Sequence, residues 1–211
     1  MKTKTILFAV IGLLMTMSVN AQNETKDYVW SWQKEEKTRT LGLFMDLNGS
    51  HTEILERSAQ FLGARIGFVY NRRLSFGFTG SAINFDYTLD ELVNDGTYHM
   101  EGGHAGIFVG YMLPISNWGR LHFSLSTGQG VVMYRYDKEF AEGRPWYQEI
   151  IDQENYATFE PGVEVSVKVA KRWWVGAQAS YLTTSPIELI GADENFLEHY
   201  TLGVLVRYGL F

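Results

Sequence analysis

The chain has 211 residues, of which 45% are hydrophobic, and its formal net charge is −6. This length fits one domain, and the acidic balance argues against a nucleic-acid-binding protein. The sequence has no Cys, which excludes both a disulfide scaffold and a lipid-modified Cys anchor.

The N-terminus has the pattern of a secretory signal peptide. Two lysines precede an apolar core at residues 6–15, which is too short for a membrane-spanning helix, and a small-residue cleavage site ends at Ala21. We expect residues 1–21 to be removed. Residues 22–38 are then a polar periplasmic leader, and residues 39–211 form the folded domain.

Beyond the leader, apolar and polar residues alternate in short runs. In the clearest run, residues 159–170, odd positions are apolar and even positions are charged, small and polar, or Gly. This alternation predicts a strand with two different faces. The predicted strands are residues 40–50, 60–70, 74–85, 99–113, 121–134, 156–170, 173–182 and 199–208.

The two faces of these strands differ in the same way along the whole chain. One face is aliphatic or aromatic, whereas the other collects most strand glycines and the charged residues, which is typical of a transmembrane β-barrel that is polar inside. A sheet in a membrane must close, because open edges would leave backbone groups unpaired in lipid. Glycine on the inner face is expected in a narrow barrel.

The connections between the predicted strands alternate in length. Short connections at 71–73, 114–119 and 171–172 are expected on the periplasmic side, together with both termini, and the long ones at 86–98, 137–155 and 183–198 outside. Aromatic residues at the strand ends predict two membrane girdles. The periplasmic girdle is Tyr70, Tyr111, Trp118, Trp173 and Tyr208, and the external one is Tyr87, Tyr98, Tyr134, Tyr136, Tyr156, Tyr181 and Tyr200.

With eight such strands and two girdles, the sequence resembles the small outer-membrane β-barrel proteins of the OmpA-transmembrane-domain-like or OmpX-like class. The resemblance implies an all-β, antiparallel, up-and-down eight-stranded barrel that is an integral, monomeric protein of the bacterial outer membrane. It also implies two partners, outer-membrane lipid and the assembly machinery, which recognises a terminal aromatic residue. The chain ends on Phe211, although that residue does not share the apolar register of Tyr208.

The inward parity predicts a polar network that fills the lumen. Its members are Asp46, Arg65, His104, His122, Glu160, Glu164, Lys168 and Arg207. Asp46 and Arg65 lie near the middle of neighbouring strands, where a cross-strand ion pair can form. An interior this narrow has to pair its charges and leaves no open pore.

Two local patterns suggest chemistry beyond packing. His122-Phe123-Ser124 places a His and a Ser on one face, as in the His-x-Ser motif of lipid A deacylases, and Glu164 or Glu160 could orient the His. The alternative function is therefore a lipid A-modifying hydrolase. Parity places His104 opposite His99 and Glu101, so no metal site is predicted, and no cofactor is expected.

The long loops are acidic, and the longest also holds Phe140, Trp146 and Tyr147. Exposed apolar residues on loops mark binding surfaces. The leading hypothesis is a non-enzymatic barrel whose external loops contact an extracellular protein or a surface ligand. A second alternative is a soluble secreted β-barrel that carries a small ligand, which would require the aliphatic face to point inward.

Overall fold

The computed structural model describes residues 30–32, 39–55, 57–88, 98–136 and 150–210. Within these residues no helix is long and apolar enough to cross a membrane. The described residues form strands β1 (Trp30–Trp32), β2 (Arg39–Ile54), β3 (Arg57–Tyr70), β4 (Leu74–Thr88), β5 (Tyr98–Pro114), β6 (Gly119–Tyr136), β7 (Ile150–Lys168), β8 (Trp173–Thr184) and β9 (His199–Leu210).

Strands β2 to β9 form a closed antiparallel barrel. Each strand pairs with the next one in the chain, and β9 pairs with β2. This confirms the predicted eight-stranded up-and-down barrel. Paired outward-facing residues can be followed from strand to strand once around the barrel. The path starts at His51 on β2 and returns to β2 at Leu41, ten residues earlier. The residues on this path are His51, Leu202, Ala179, Val163, Phe123, Tyr111, Leu74, Tyr70 and Leu41.

The predicted parity of the strands is confirmed. Large apolar side chains on the outer face are exposed, among them Phe78 at 67%, whereas inward residues such as Asp46 and Arg207 are 1% exposed. The aliphatic face therefore points outward, opposite to the requirement of a ligand carrier. Several strands extend further toward the loop side than alternation predicts, and β7 begins at Ile150 rather than at residue 156.

Facing glycines allow neighbouring strands to approach each other closely on the inner side of the barrel. Gly106 on β5 lies opposite Gly128 on β6. A Cβ on Gly106 would collide with the carbonyl oxygen of Thr127, and one on Gly128 with that of Ala105. No side chain fits at this crossing.

Pro161 lies on the outer face of β7, opposite Leu125 of β6. The structure contains no register shift at this position, since Thr158 still pairs with Thr184 and Gly162 with Ser180 in one register. Instead, the β7–β8 pairing is interrupted at Glu160 and Pro161, because Pro has no N–H to donate to the ladder.

A short strand lies within the residues that the sequence predicts to be a leader. In β1, Trp30 pairs with Leu41, and Leu41 pairs with Tyr70 of β3 on its other side. Strand β1 therefore lies on the β9 side of β2. It occupies the edge that β9 leaves open, because the pairing of β9 with β2 ends at Leu43 and Leu210.

The last external connection, residues 185–198, folds over the barrel mouth. Ile187, Leu189, Phe196 and Leu197 are buried there against the inward side chains of several strands. The backbone turns back at Gly191, which has a φ of 76°. The sequence predicts only an acidic surface loop, so this apolar lid is a correction.

Two tyrosines assigned to the external girdle also belong to the interior. Tyr134 is 0% exposed and Tyr156 is 2% exposed, and both pack beneath the lid. Their even numbers place them on the inward faces of β6 and β7. Tyr181 and Tyr200 do stand outside, with ring centroids 4.5 Å apart. Tyr87, Tyr98 and Tyr136 have side chains outside the described part of the structure.

Candidate functional site

An ionic cluster lies in the lower half of the lumen, toward the short turns. Arg207 donates from Nε to Asp46 Oδ1 at 2.6 Å and from Nη2 to Asp46 Oδ2 at 2.7 Å. Its Nη2 also donates to Glu164 Oε2 at 2.8 Å. The geometry is bidentate on Asp46, which is the strongest form of an arginine–carboxylate contact. Arg207, rather than the predicted Arg65, is the cation that Asp46 contacts.

The cluster continues through His122 to a serine that the sequence analysis missed. His122 Nδ1 lies 3.2 Å from Glu164 Oε2, and His122 Nε2 lies 2.8 Å from Ser75 Oγ. Because an ionised carboxylate only accepts hydrogen bonds, Nδ1 donates to Glu164, and in the neutral imidazole Nε2 then accepts from the Ser75 hydroxyl. The serine that contacts His122 is Ser75 on β4, not Ser124, which corrects the predicted His-x-Ser pair.

This Ser–His–Glu connectivity matches that of a hydrolytic triad, but it is enclosed. Ser75 and His122 are 0% exposed and Glu164 is 2% exposed. A nucleophile has to reach a substrate carbonyl, and Ser75 faces packed protein on every side. The arrangement therefore acts as a hydrogen-bond network that orients Glu164 toward Arg207.

A second polar cluster lies nearer the external mouth. Ser180 donates to Glu160 Oε1 at 2.6 Å and lies 2.6 Å from Thr201 Oγ1. His104 Nε2 lies 3.8 Å from Glu160 Oε2. Beside them is a cavity of about 20 Å³ lined in part by Arg65 and Gln178, which is room for a water molecule.

Packed side chains close the lumen below the ionic cluster. Phe44, Val69, Phe108 and Met112 form a buried apolar group. The Arg207 guanidinium carbon lies 4.8 Å from the centre of the Phe44 ring. With the lid above, this group leaves both polar clusters enclosed.

Other predicted site residues lie at the rims or outside the described ranges. Lys168 is half-buried at the periplasmic end of β7, opposite Trp174. There, the Arg120 guanidinium carbon lies 4.0 Å from the Trp174 ring centre, a contact that was not predicted. The predicted periplasmic girdle lies on the outer surface, with Trp118 52% exposed. The predicted binding residues Phe140, Trp146 and Tyr147 lie outside the described residues.

Among the residues that the structure describes, no group of three side chains could hold a metal ion. Gly102 and Gly103 continue the regular β4–β5 register, so no bulge brings His104 to the outer face with Glu101. Glu101 instead forms a surface ion pair with Arg135 at 3.0 Å.

Comparisons with known proteins reveal a shared fold. No family model and no curated protein sequence matches the chain. Among solved structures, it is similar to Neisserial surface protein A, with 12% identity and a TM-score of 0.56, over 81% of this chain and 97% of that one. Further matches include Ail of Yersinia pestis, with 8% identity and a TM-score of 0.48 over 80% of this chain and 97% of that one. They also include the N-terminal barrel of Pseudomonas aeruginosa OprF, with 10% identity and a TM-score of 0.48 over 80% of this chain and 96% of that one. The chain has the fold of a small eight-stranded outer-membrane β-barrel.

Replacing Arg207 with Met should be strongly destabilising. The substitution leaves two buried carboxylates, Asp46 and Glu164, without their cation, and breaking a buried pair costs about 3–5 kcal/mol. Urea unfolding in lipid vesicles measures the change. The control is Arg135→Met at the exposed pair with Glu101, where a surface ion pair contributes about 0–1 kcal/mol. Equal losses in the free energy of unfolding for the two variants would contradict the proposed contribution of the ionic cluster to stability.

Gly110 makes room for the His122–Ser75 hydrogen bond. A Cβ on Gly110 would lie 2.7 Å from Ser75 Oγ and would also collide with His122 Nε2, whereas nothing lies within 4 Å of a Cβ built on Gly49. We expect Gly110→Ala to destabilise the barrel by about 1–3 kcal/mol, as overpacking does.

The matched control, Gly49→Ala, should stay within about 0.5 kcal/mol of the wild type, as surface substitutions do. The urea midpoint of each variant gives the comparison. A Gly110→Ala barrel as stable as Gly49→Ala would show that the network can shift without cost.

Proposed function

We propose that the chain is an integral protein of the bacterial outer membrane, closed to diffusion, that acts through its external surface. The observation that carries the proposal is the inverted polarity of the barrel. Charged side chains such as Asp46 and Arg207 are buried inside, while Phe78, Leu202 and Val204 are each more than 60% exposed on the outside. Hydrocarbon around the barrel would satisfy this outer face, whereas water would not.

The closed lumen supports a role other than transport. An eight-stranded barrel is just wide enough for side chains to fill, and here an ionic cluster, a polar cluster and an apolar lid occupy it in turn. A diffusing solute would have to displace Arg207 from two carboxylates. The proposed partners are therefore outer-membrane lipid around the belt and the assembly machinery during insertion.

The residues proposed to bind a partner are on the external loops. The outer face of the lid carries Glu188, Asp193 and Glu194, and the preceding long loop carries Phe140, Trp146 and Tyr147. A loop sequence rich in acidic and aromatic side chains suits a partner with basic and apolar groups. We propose that a monomeric barrel presents this loop surface to an extracellular protein or surface ligand.

Phe78→Lys tests the membrane location. A lysine on the lipid face at mid-bilayer costs about 2–4 kcal/mol, so the variant should unfold at lower urea in vesicles. A soluble barrel would tolerate this exposed substitution within about 0.5 kcal/mol. The control is Tyr200→Lys at the external rim, where the cost falls to about 0–1 kcal/mol.

Fractionation and gel mobility give the independent check. Wild-type protein should be in the washed outer-membrane pellet and should migrate differently before and after boiling. A soluble band without a mobility shift, together with equal stability of the two lysine variants, would contradict the proposed location.

Changing Phe140, Trp146 and Tyr147 together to Ser tests the surface role. In a strain that lacks the chain, both wild type and the triple variant should restore a heat-shifted barrel. Only wild type should restore attachment of the cells to their partner surface. Glu188→Ser on the lid is the matched loop control. Full attachment by the triple variant would contradict binding through these side chains.

A further inference from the structure

The end of the barrel that carries the short turns is basic. Two of its turns form what we call the basic rim, which consists of Arg72, Arg73, Lys171 and Arg172. The described carboxylates nearest to this rim, on Glu164 and Asp46, are enclosed and hydrogen-bonded to Arg207. At the other end of the barrel, the exposed charged residues of the lid are all acidic, namely Glu188, Asp193 and Glu194. The described part of the short-turn end therefore carries an excess of positive charge.

Two arginines of the basic rim contact tyrosines of the periplasmic girdle. Arg73 Nη1 donates to the Tyr111 hydroxyl oxygen at 3.4 Å, and Arg172 Nη1 donates to the Tyr208 hydroxyl oxygen at 3.1 Å. Tyr111 is on β5 and Tyr208 is on β9, so the two pairs are on opposite sides of the closed barrel. The same Arg–Tyr arrangement thus occurs twice in separate parts of the chain.

The surroundings of both pairs place them on the outer surface. Tyr111 is 41% exposed and lies opposite the outward-facing Leu74. Tyr208 lies opposite Trp173, with ring centroids 5.2 Å apart, and Trp173 is 47% exposed. Exposed aromatic rings of a girdle lie at the level of the lipid headgroups. Each tyrosine therefore holds the guanidinium group of its arginine partner at headgroup level.

We propose that each Arg–Tyr pair binds the phosphate group of an anionic phospholipid in the leaflet at the short-turn end. A guanidinium group has five N–H donors in a planar fork that matches phosphate oxygens, and the tyrosine hydroxyl oxygen takes one of them. The hydroxyl accepts that bond and keeps its own hydrogen to donate to the same phosphate. An anionic headgroup is preferred to a zwitterionic one, because the excess positive charge of the rim attracts net negative charge.

The backbone of one turn supports a role for the charge of the rim. Asn71 and Arg72 have φ angles of 51° and 59°, in the left-handed region. Asn adopts this conformation more readily than most residues, whereas at the position of Arg72 a glycine would be less strained. Strained residues cluster at functional sites. Arg72 adds a cation next to Arg73 in spite of this strain.

The location of the pairs favours a lipid over a soluble anion. Ser75 is 0% exposed inside the barrel, yet two residues earlier the Arg73 guanidinium lies against Tyr111 on the outer face. Leu74 and Trp173, beside the two pairs, are exposed apolar side chains that hydrocarbon would satisfy. The inference rests on the proposed membrane location, because the membrane leaflet supplies the ligand.

The test is native mass spectrometry of the barrel released from nanodiscs with equal amounts of phosphatidylglycerol and phosphatidylcholine that have the same acyl chains. The wild type should retain phosphatidylglycerol severalfold more often than phosphatidylcholine. Each cation near an anionic surface contributes about fivefold. The double variant Arg73→Gln, Arg172→Gln should therefore lose most of this preference.

Two further variants separate a phosphate site from a general effect of charge. Arg73→Gln and Arg135→Gln change the net charge equally, but Arg135 forms its surface ion pair with Glu101 on the external side. Only Arg73→Gln should lower the ratio of the two lipids. Tyr111→Phe with Tyr208→Phe leaves the charge unchanged and should also lower the ratio, because it removes the hydroxyl groups that hold the arginines.

Four outcomes would overturn the inference while leaving the membrane barrel intact. They are equal retention of both lipids by the wild type, an unchanged ratio in the double arginine variant, and equal losses in Arg73→Gln and Arg135→Gln. The fourth is loss of the preference in excess inorganic phosphate but not in sodium chloride of the same ionic strength, which would assign the sites to a free anion. Absence of the unheated gel shift for the wild type in the nanodiscs would instead show that the barrel had not inserted, which is the failure of the proposed function.

Discussion

The pairing of β9 with β2 is the interaction on which the rest of the structure depends. It closes the sheet with a stagger of ten residues, so each of β2 to β9 has a neighbouring strand on both sides and the interior has a fixed, small width. That width explains why glycines face each other at Gly106 and Gly128, because a side chain at either position would collide with the backbone of the neighbouring strand. It also explains why side chains leave only a water-sized cavity among the described residues that line the interior, and why the lid needs only a few apolar residues to cover the mouth.

Arg207 links the closing register to the lumen. It lies directly opposite Asp46 across the β9–β2 seam and also reaches Glu164 on β7. Burying such charges costs several kcal/mol each, so the ion pair adds less net stability than its short distances suggest. Its larger effect is on register, because a one-residue slip of β9 would turn Arg207 toward the outer face. Placing the charge of Arg207 in hydrocarbon would cost too much free energy, so the ion pair fixes the register of the β9–β2 pairing.

Sequence reasoning predicts the barrel and its two faces, but not the partners inside. Alternation has a period of two, so the parity of Asp46, His122 and Glu164 is readable from the chain alone. Which neighbour each residue contacts depends on the stagger around the whole barrel. Asp46 has Arg65 on one side and Arg207 on the other, and the sequence does not choose between them. His122 likewise lies nearer in sequence to Ser124 than to Ser75.

The lid was missed for a related reason. Residues 185–198 have no period, and the acidic Glu188, Asp193 and Glu194 mask the buried Ile187, Leu189 and Leu197. One signal was the apolar content of a loop predicted to be solvated. Tyr134 and Tyr156 carried a second signal, since their even positions match the inward face rather than the girdle.

Enclosure also decides which parts of the molecule can act. Arg207, Glu164, His122 and Ser75 are hydrogen-bonded to one another behind packed side chains, so a substrate outside the barrel cannot reach them. What remains accessible is an apolar belt and the two rims. The narrow barrel thus encloses these charged groups and leaves its outer surface as the described part of the molecule that can contact lipid or a partner.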